Sequence, residues 1–178
     1  MNKNDLDVMF SSAKIGTGKD YWETPLKFYN NLNNLFNFTL DPAASHDNHK
    51  CNRYFTQEDD GLKQSWKNET IFVNPPYSQN KLWIKKCAQE SKHSDIVLLI
   101  PARVDTKYFQ EDIFPNATAI CFIKGRLKFE IDGKPILDKK GNPMGAPFPS
   151  SLCIFTKNNA LSSEKKEYLM NLGFTIIL

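Results

Sequence analysis

Phe72-Val73-Asn74-Pro75-Pro76-Tyr77-Ser78 is the stretch whose reading decides this chain. An apolar run, Ile71 to Val73, stops at Asn74 and gives way to two prolines and an aromatic. The run predicts a buried strand whose carboxyl end delivers Asn74, Pro75, Pro76 and Tyr77 to a cleft. Each proline removes a backbone N–H and fixes φ, and Pro76 also pushes Pro75 out of the helical region. The segment is therefore stiff, and its carbonyls lack neighbouring donors. Two readings fit it. One is an Asn-Pro-Pro turn with a tyrosine tucked beside it. The other is a grip for a planar amino group, in which the Asn74 side-chain oxygen and the Pro75 carbonyl accept its two hydrogens while Tyr77 stacks on the ring. The apolar strand before and the aromatic after favour the grip.

Outward from this segment, strands and helices alternate. Asp95 to Ile100 (DIVLLI) is a continuous apolar run ending at Pro101, the pattern of a central strand covered on both faces. Short strands are predicted at Phe38 to Leu40 and Arg53 to Thr56, with further strands at Thr118 to Ile123, Ser151 to Thr156 and Phe174 to Leu178. Helices are predicted from Pro25, capped by Thr24 and carrying Phe28, Leu32 and Leu35, then over Asn80 to Lys92 and Ser163 to Leu172. Arg126 to Ile131 reads as an edge or hairpin strand with a turn at Asp132-Gly133, and Lys139 to Pro149 as a loop. This alternation implies an α/β fold with an open, largely parallel sheet.

At 178 residues and 40% apolar content the chain has room for one such domain. Residues 1–19 are low in apolar content and read as a flexible arm, leaving 20–178 for the domain. No stretch is apolar enough to cross a bilayer, and the first residues lack the features of a signal peptide, so a cytoplasmic protein is expected. The four cysteines are scattered without a CxxC, as reduced thiols are. His46, His49 and Cys51 lack a clear fourth ligand, and no metal is expected. A net charge of +3 is too mild to announce nucleic-acid binding by itself. Cations nevertheless concentrate between Lys124 and Lys140 (with Arg126, Lys128 and Lys139), either a solvated hairpin or a phosphate-contacting surface.

In an open sheet of this kind, ligands bind beyond the carboxyl ends of the strands. Asp41 follows the first strand, Asp59 and Asp60 the second, and Asn74 the third. Asp59 and Asp60 also suit a helix cap, and Trp22 also suits plain core packing. Taken in order, DYWETP (20–25), LDPAAS (40–45) with Asn48, EDDGL (58–62), VNPPYS (73–78), LLIPAR (98–103) and GRLKF (125–129) resemble the phage-type DNA N-6-adenine methyltransferase family. Asn-Pro-Pro-Tyr alone occurs also in methyltransferases of other planar nitrogens. The likeness spans about Asp20 to Thr156. It implies a Rossmann-like methyltransferase fold, a mostly parallel sheet with helices on both faces, S-adenosylmethionine as methyl donor, and a flipped adenine in DNA as acceptor.

By the same resemblance, Asn74, Pro75, Pro76 and Tyr77 are catalytic. Tyr21, Trp22, Thr24, Pro25, Asp41, Pro42, Ala43, Ala44, Asn48, Asp59, Asp60 and Asn74 face the cofactor. Ala43, Ala44 and Ser45 stand where glycines usually stand. Arg103 and Lys107, just past the DIVLLIP strand, join Lys124, Arg126, Lys128, Lys139 and Lys140 as DNA-contacting candidates, with 124–150 as a recognition hairpin and loop. Other acceptors stay open (cytosine N4 in DNA, adenine in RNA, a glutamine amide), as does a non-catalytic accessory subunit of the same fold. A homodimer is an open alternative to a monomer.

Overall fold

A seven-stranded sheet in the order β2-β1-β3-β4-β8-β5-β9 forms the centre of the molecule. The structure is a computed structural model that describes residues 18–178, so the arm expected over 1–19 lies almost wholly outside the described residues. The strands are β1 (Leu40–Asp41), β2 (Arg53–Tyr54), β3 (Thr70–Val73), β4 (Asp95–Pro101), β5 (Ala119–Ile123), β8 (Ser150–Phe155) and β9 (Gly173–Ile177). β6 (Glu130–Ile131) and β7 (Lys134–Pro135) form a separate hairpin. β1, β2, β3 and β4 run parallel to one another. β8 inserts antiparallel between β4 and β5, and β9 pairs antiparallel with β5, so β5 shares the direction of the first four. The mostly parallel architecture expected from the sequence is present, with β8 and β9 as the two reversed strands.

Alternation along the strands builds a core on each face. Phe72, Val97 and Leu99 pack toward α1 (Leu26–Phe36) and α3 (Ser163–Leu172), together with Tyr29, Leu32, Phe36 and Leu169. Ile71, Val73, Ile96 and Leu98 pack the opposite way, against Trp83, Ile84 and Cys87 of α2 (Asn80–Glu90). Helices thus cover both faces. A π-helical turn at Phe109–Ile113, not anticipated from the sequence, adds Phe109 and Ile113 to that second layer.

Two local expectations change. α1 buries Tyr29, Leu32 and Phe36, while Phe28 and Leu35 lie at the edge of the stripe. Its N-cap is Pro25, whose carbonyl accepts from the Tyr29 N–H at 3.0 Å. Thr24 makes no capping hydrogen bond; it is buried, and its hydroxyl has no partner. In α2 the buried stripe is Asn80, Trp83, Ile84 and Cys87, which leaves Leu82 exposed. Among the described residues, no helix is long and apolar enough to cross a membrane.

After β1 the chain steps outward to β2, then returns to place β3 on the other side of β1. The order therefore reverses between β1 and β3, and the crevice beyond their carboxyl ends is where such a sheet leaves room for a ligand. Asp41 ends one of these strands and Asn74 follows the other.

Candidate active site

Asn74 stands at this switch point with its side chain half committed. Its amide nitrogen donates to the Trp22 carbonyl oxygen at 2.8 Å. A carbonyl only accepts, so the atom facing it is the NH₂ and the amide oxygen must point the other way. That oxygen is buried and has no hydrogen-bond partner. An unpaired buried acceptor costs about 1–3 kcal/mol, and this one is held in a fixed orientation, open to a donor. The next carbonyl, that of Pro75, also accepts nothing among the described residues. The Pro76 carbonyl is used by the Gln79 N–H at 2.9 Å, which closes the turn leading into α2.

Residues 20–24 hold this segment from outside. The Asp20 carboxylate accepts from the Ser78 N–H at 2.9 Å, so the Asn74–Ser78 loop is tied at both ends to one strap. Glu23 fastens the strap in turn to the β6–β7 hairpin. It exchanges both main-chain hydrogen bonds with Glu130, at 2.9 and 3.0 Å. Its carboxylate accepts from the Asp132 N–H at 2.9 Å and the Gly133 N–H at 3.2 Å. Both turn residues have positive φ, the conformation of a tight two-residue hairpin turn.

Aromatic rings line the same place. Trp22 lies 5.4 Å from Phe129 and stacks 5.8 Å from Phe148; Tyr77 meets those two rings edge-on at 6.2 and 5.5 Å. The Tyr77 hydroxyl is sealed in without a partner, and burial holds its pKa far above the ordinary phenol value. It is a neutral aromatic wall, not a base.

The turns after β1 and β2 form the other wall. Asp41 is 5% exposed, and its carboxylate accepts from the Lys50 N–H at 2.9 Å and, more weakly, the Ala43 N–H at 3.3 Å. Burial outweighs those donors and raises its pKa to about 6. Asp41 thus pins the Pro42–Lys50 loop around itself, and the Ala44 N–H is bound to the Phe55 carbonyl at 3.0 Å. Asn48 donates its N–H to Ser45 Oγ, while its own amide oxygen is buried without a partner. Gly61 lies against this loop: a Cβ there would sit 2.0 Å from the Pro42 carbonyl oxygen.

The two acidic candidates after β2 have local partners. Asp59 accepts from Thr56 N–H and Oγ1–H, both at 2.8 Å, and those bonds hold its pKa down. Asp60 pairs with Lys63 at 2.7 Å. His46 and His49 pack against the Tyr54 ring, and Cys51 bonds to the Tyr29 hydroxyl.

Two clefts, each of about 340 Å³, flank the strap. One opens beside Asn48 and is mainly acidic, with Glu23, Asp47, Glu130 and Asp132 against His49 and Lys50. The other is basic and includes Arg126 and Lys128. Pro25 borders the basic cleft at the start of α1, while Tyr21 lies in the strap and is 53% exposed. Lys124, Lys139 and Lys140 are exposed, the last two in a separate turn held by the Asp138 carboxylate. Arg103 and Lys107 are exposed past the end of β4, and Arg103 forms no ion pair with Asp105.

The structure therefore gathers Trp22, Thr24, Asp41, Asn48, Asn74 and Tyr77 around the β1/β3 crevice, while Lys139 and Lys140 stand apart. Glu23, Gly61 and Phe129 stand inside motifs the sequence offers but carry no individual role there, and Phe148 is not singled out by the sequence at all. For Phe129 a signal was present: buried Leu127 and Phe129 alternate with exposed Arg126 and Lys128, the mark of an extended segment with one face inward.

A family model described as DNA N-6-adenine-methyltransferase (Dam) matches residues 11–173. A protein of Escherichia phage T1 named DNA N-6-adenine-methyltransferase is 36% identical over 118 residues, covering 65% of this chain and 49% of its own length. A Haemophilus phage HP1 protein of the same name is 29% identical over 120 residues, covering 65% of this chain and 69% of its own. The chain thus spans about half the length of the phage T1 relative. With a model match over nearly all of its residues, the chain belongs to the DNA N-6-adenine-methyltransferase (Dam) family.

Proposed function

We propose that this chain methylates the N6 amino group of adenine in DNA, with S-adenosylmethionine as donor. One observation carries the reading: the Asn74 amide oxygen is buried, unpaired and fixed in direction by the hydrogen bond from its own NH₂ to Trp22. The free Pro75 carbonyl beside it supplies the second acceptor. An exocyclic amino group has two hydrogens to place, and two neighbouring acceptors match that need.

The donor set suits the cofactor. S-adenosylmethionine is cationic at its sulfonium and its amino group, and the cleft beside Asn48 is mainly acidic. Small side chains at Ala43 and Ala44 allow close approach to the backbone. Tyr21, Trp22, Thr24, Pro25, Asp41, Pro42, Asn48, Asp59 and Asp60 complete the set that would hold it. When bound, it supplies an electrophilic methyl group.

The adenine amino nitrogen is a poor nucleophile because its lone pair is delocalised into the ring. Hydrogen bonds to Asn74 Oδ1 and the Pro75 carbonyl hold the group and favour its rehybridisation. Catalysis then rests on positioning and fixed dipoles without a covalent enzyme intermediate. A base inside a duplex is out of reach, so the target must be extruded, and Tyr77 with its aromatic neighbours offers the stacking face. Arg103, Lys107, Lys124, Arg126, Lys128, Lys139 and Lys140 are the candidates for phosphate contact, and the likeness to phage proteins supports the cytoplasm of a bacterial or phage-infected cell as the setting.

The test uses the purified chain, labelled donor, and DNA, RNA and glutamine-containing protein in parallel. Label is expected in DNA as N6-methyladenine. Asn74→Ala is expected to lower turnover by about 10²–10³-fold, as removal of a catalytic polar contact does, with donor binding by calorimetry largely retained. Transfer to RNA or protein with none to DNA would sink the assignment. Unchanged turnover in the variant would make Asn74 structural, and absence of donor binding would favour a non-catalytic subunit.

A further inference from the structure

The basic cleft lies on the outer side of the aromatic wall. It is lined by Lys27, Phe28 and Asn31 of α1 and by Arg126, Leu127 and Lys128 of the segment that leads into the hairpin. Its lining holds three cations and, among the described residues, no carboxylate. None of the three forms an ion pair. The neighbouring cleft across the strap has the opposite sign.

The groove is built, not a chance meeting of surface lysines. Leu127 is buried, and its carbonyl accepts from the Ala146 N–H at 2.9 Å. The stem of Arg126 presses on Gly145, where a Cβ would come within 2.7 Å of its own. Phe28 packs on the core with part of its ring exposed. Leu127 is two residues from Phe129, about 7 Å along an extended chain, and Phe129 touches Trp22 and Tyr77.

From these features we infer that the groove holds an unpaired nucleotide of the DNA strand flanking the target base. Lys27, Arg126 and Lys128 neutralise its phosphates, and the base lies on Phe28 with Asn31 at its edge. Paired cations around an aromatic face are how proteins track a single strand, and extruding a base leaves its neighbours accessible. The inference rests on the reading of DNA as substrate and extends it to Lys27, Phe28 and Asn31.

The experiment measures binding of a labelled oligonucleotide by fluorescence anisotropy across a salt series. It compares the wild type, Lys27→Ala/Arg126→Ala/Lys128→Ala, and a control that removes equal charge at the opposite end of the central strands, beyond the amino ends of β3 and β4, Lys67→Ala/Lys92→Ala/Lys157→Ala. Each lost phosphate contact lowers the slope of log K against log salt by roughly 0.7–0.9, so the groove variant is expected to lose a slope of about 2 while the control keeps the wild-type slope. Phe28→Ala is expected to weaken binding about fivefold to a hundredfold. Donor calorimetry on every variant reports that the fold is intact. Equal slopes in the groove and control variants overturn the groove while leaving DNA methylation standing. A wild type that binds and methylates no DNA overturns both. If the triple variant loses donor binding, the single variants Lys27→Ala and Lys128→Ala carry the same comparison, each expected to lose a slope of roughly 0.7–0.9.

Discussion

Replacing Gly61 by alanine should damage stability and donor binding together. Gly61 is outside the left-handed region, so its backbone conformation suits alanine; only space forbids it. The added Cβ would lie 2.0 Å from the Pro42 carbonyl oxygen and 3.2 Å from the Trp83 ring, where contacts under 3.0 Å are essentially unknown. The turns after β1 and β2 must therefore part by about 1 Å, against a backbone neighbour that has no rotamer to yield. Gly61 also accepts a hydrogen bond from Trp66 Nε1 at 2.9 Å, so the shift strains a buried tryptophan. Overpacking of this kind costs about 1–3 kcal/mol, and an immovable backbone atom puts Gly61→Ala at the upper end. For a domain of this size about 3 kcal/mol lowers Tm by roughly 6–12 °C. The same displacement opens the loop that Asp41 pins, and donor affinity is expected to fall at least about tenfold, in line with the sensitivity of positioned groups to errors near 1 Å. Urea denaturation and calorimetry with S-adenosylmethionine measure the two effects. Gly141→Ala is the control: its φ is +82° with nothing within 4 Å of the new Cβ, so it should cost about 1–2 kcal/mol of backbone strain and leave donor binding alone. Gly61→Ala with wild-type stability and affinity would show that the two turns do not meet as described.

Tyr77→Phe removes a buried hydroxyl that has no partner and keeps the ring. Stability should hold or rise by about 1 kcal/mol, and turnover should stay within a few fold if the ring is what the substrate meets; a hundredfold loss would assign the hydroxyl a chemical role. For Asp41, burial raises the pKa from 3.8 to about 6. The folded chain then holds a proton that the unfolded chain releases between those values, so the contribution is present below about pH 4 and is lost as pH rises through about 6. The loss is on the order of 3 kcal/mol, and Asp41→Asn should lack that slope in denaturation curves taken from pH 4 to 7. A wild type that gains stability relative to Asp41→Asn across this window would mean that the Lys50 and Ala43 N–H groups outweigh burial.

Much of the fold is legible because its signals are local. DIVLLIP is apolar at every position from Ile96 onward, and it is buried there on both sides in β4. Asp132-Gly133 announces a turn with two positive φ values, and the hairpin is there. α3 occupies the predicted span because Ser162 caps it, its Oγ accepting from the Lys165 N–H. Where the sequence misleads, packing decides. Thr24 has the chemistry of a cap, yet it is buried at the end of the strap and caps nothing. Packing also decides that the Asp59 carboxylate accepts from the Thr56 N–H and Oγ1–H.

The sequence by itself determined the stiffness and placing of the Asn74–Ser78 loop. Two prolines stiffen any chain that contains them, and an apolar run ending in asparagine puts that side chain at a strand's end. Tertiary structure alone decided which way the Asn74 amide points, because the Trp22 carbonyl that takes its NH₂ lies fifty-two residues away. It also decided that Glu23 fastens the hairpin more than a hundred positions later. Lys27 and Arg126 come to share one groove in the same way. Backbone stiffness and apolar periodicity are properties of neighbours in the chain, whereas a hydrogen bond or a charge cluster between distant segments exists only once the sheet has set their separation.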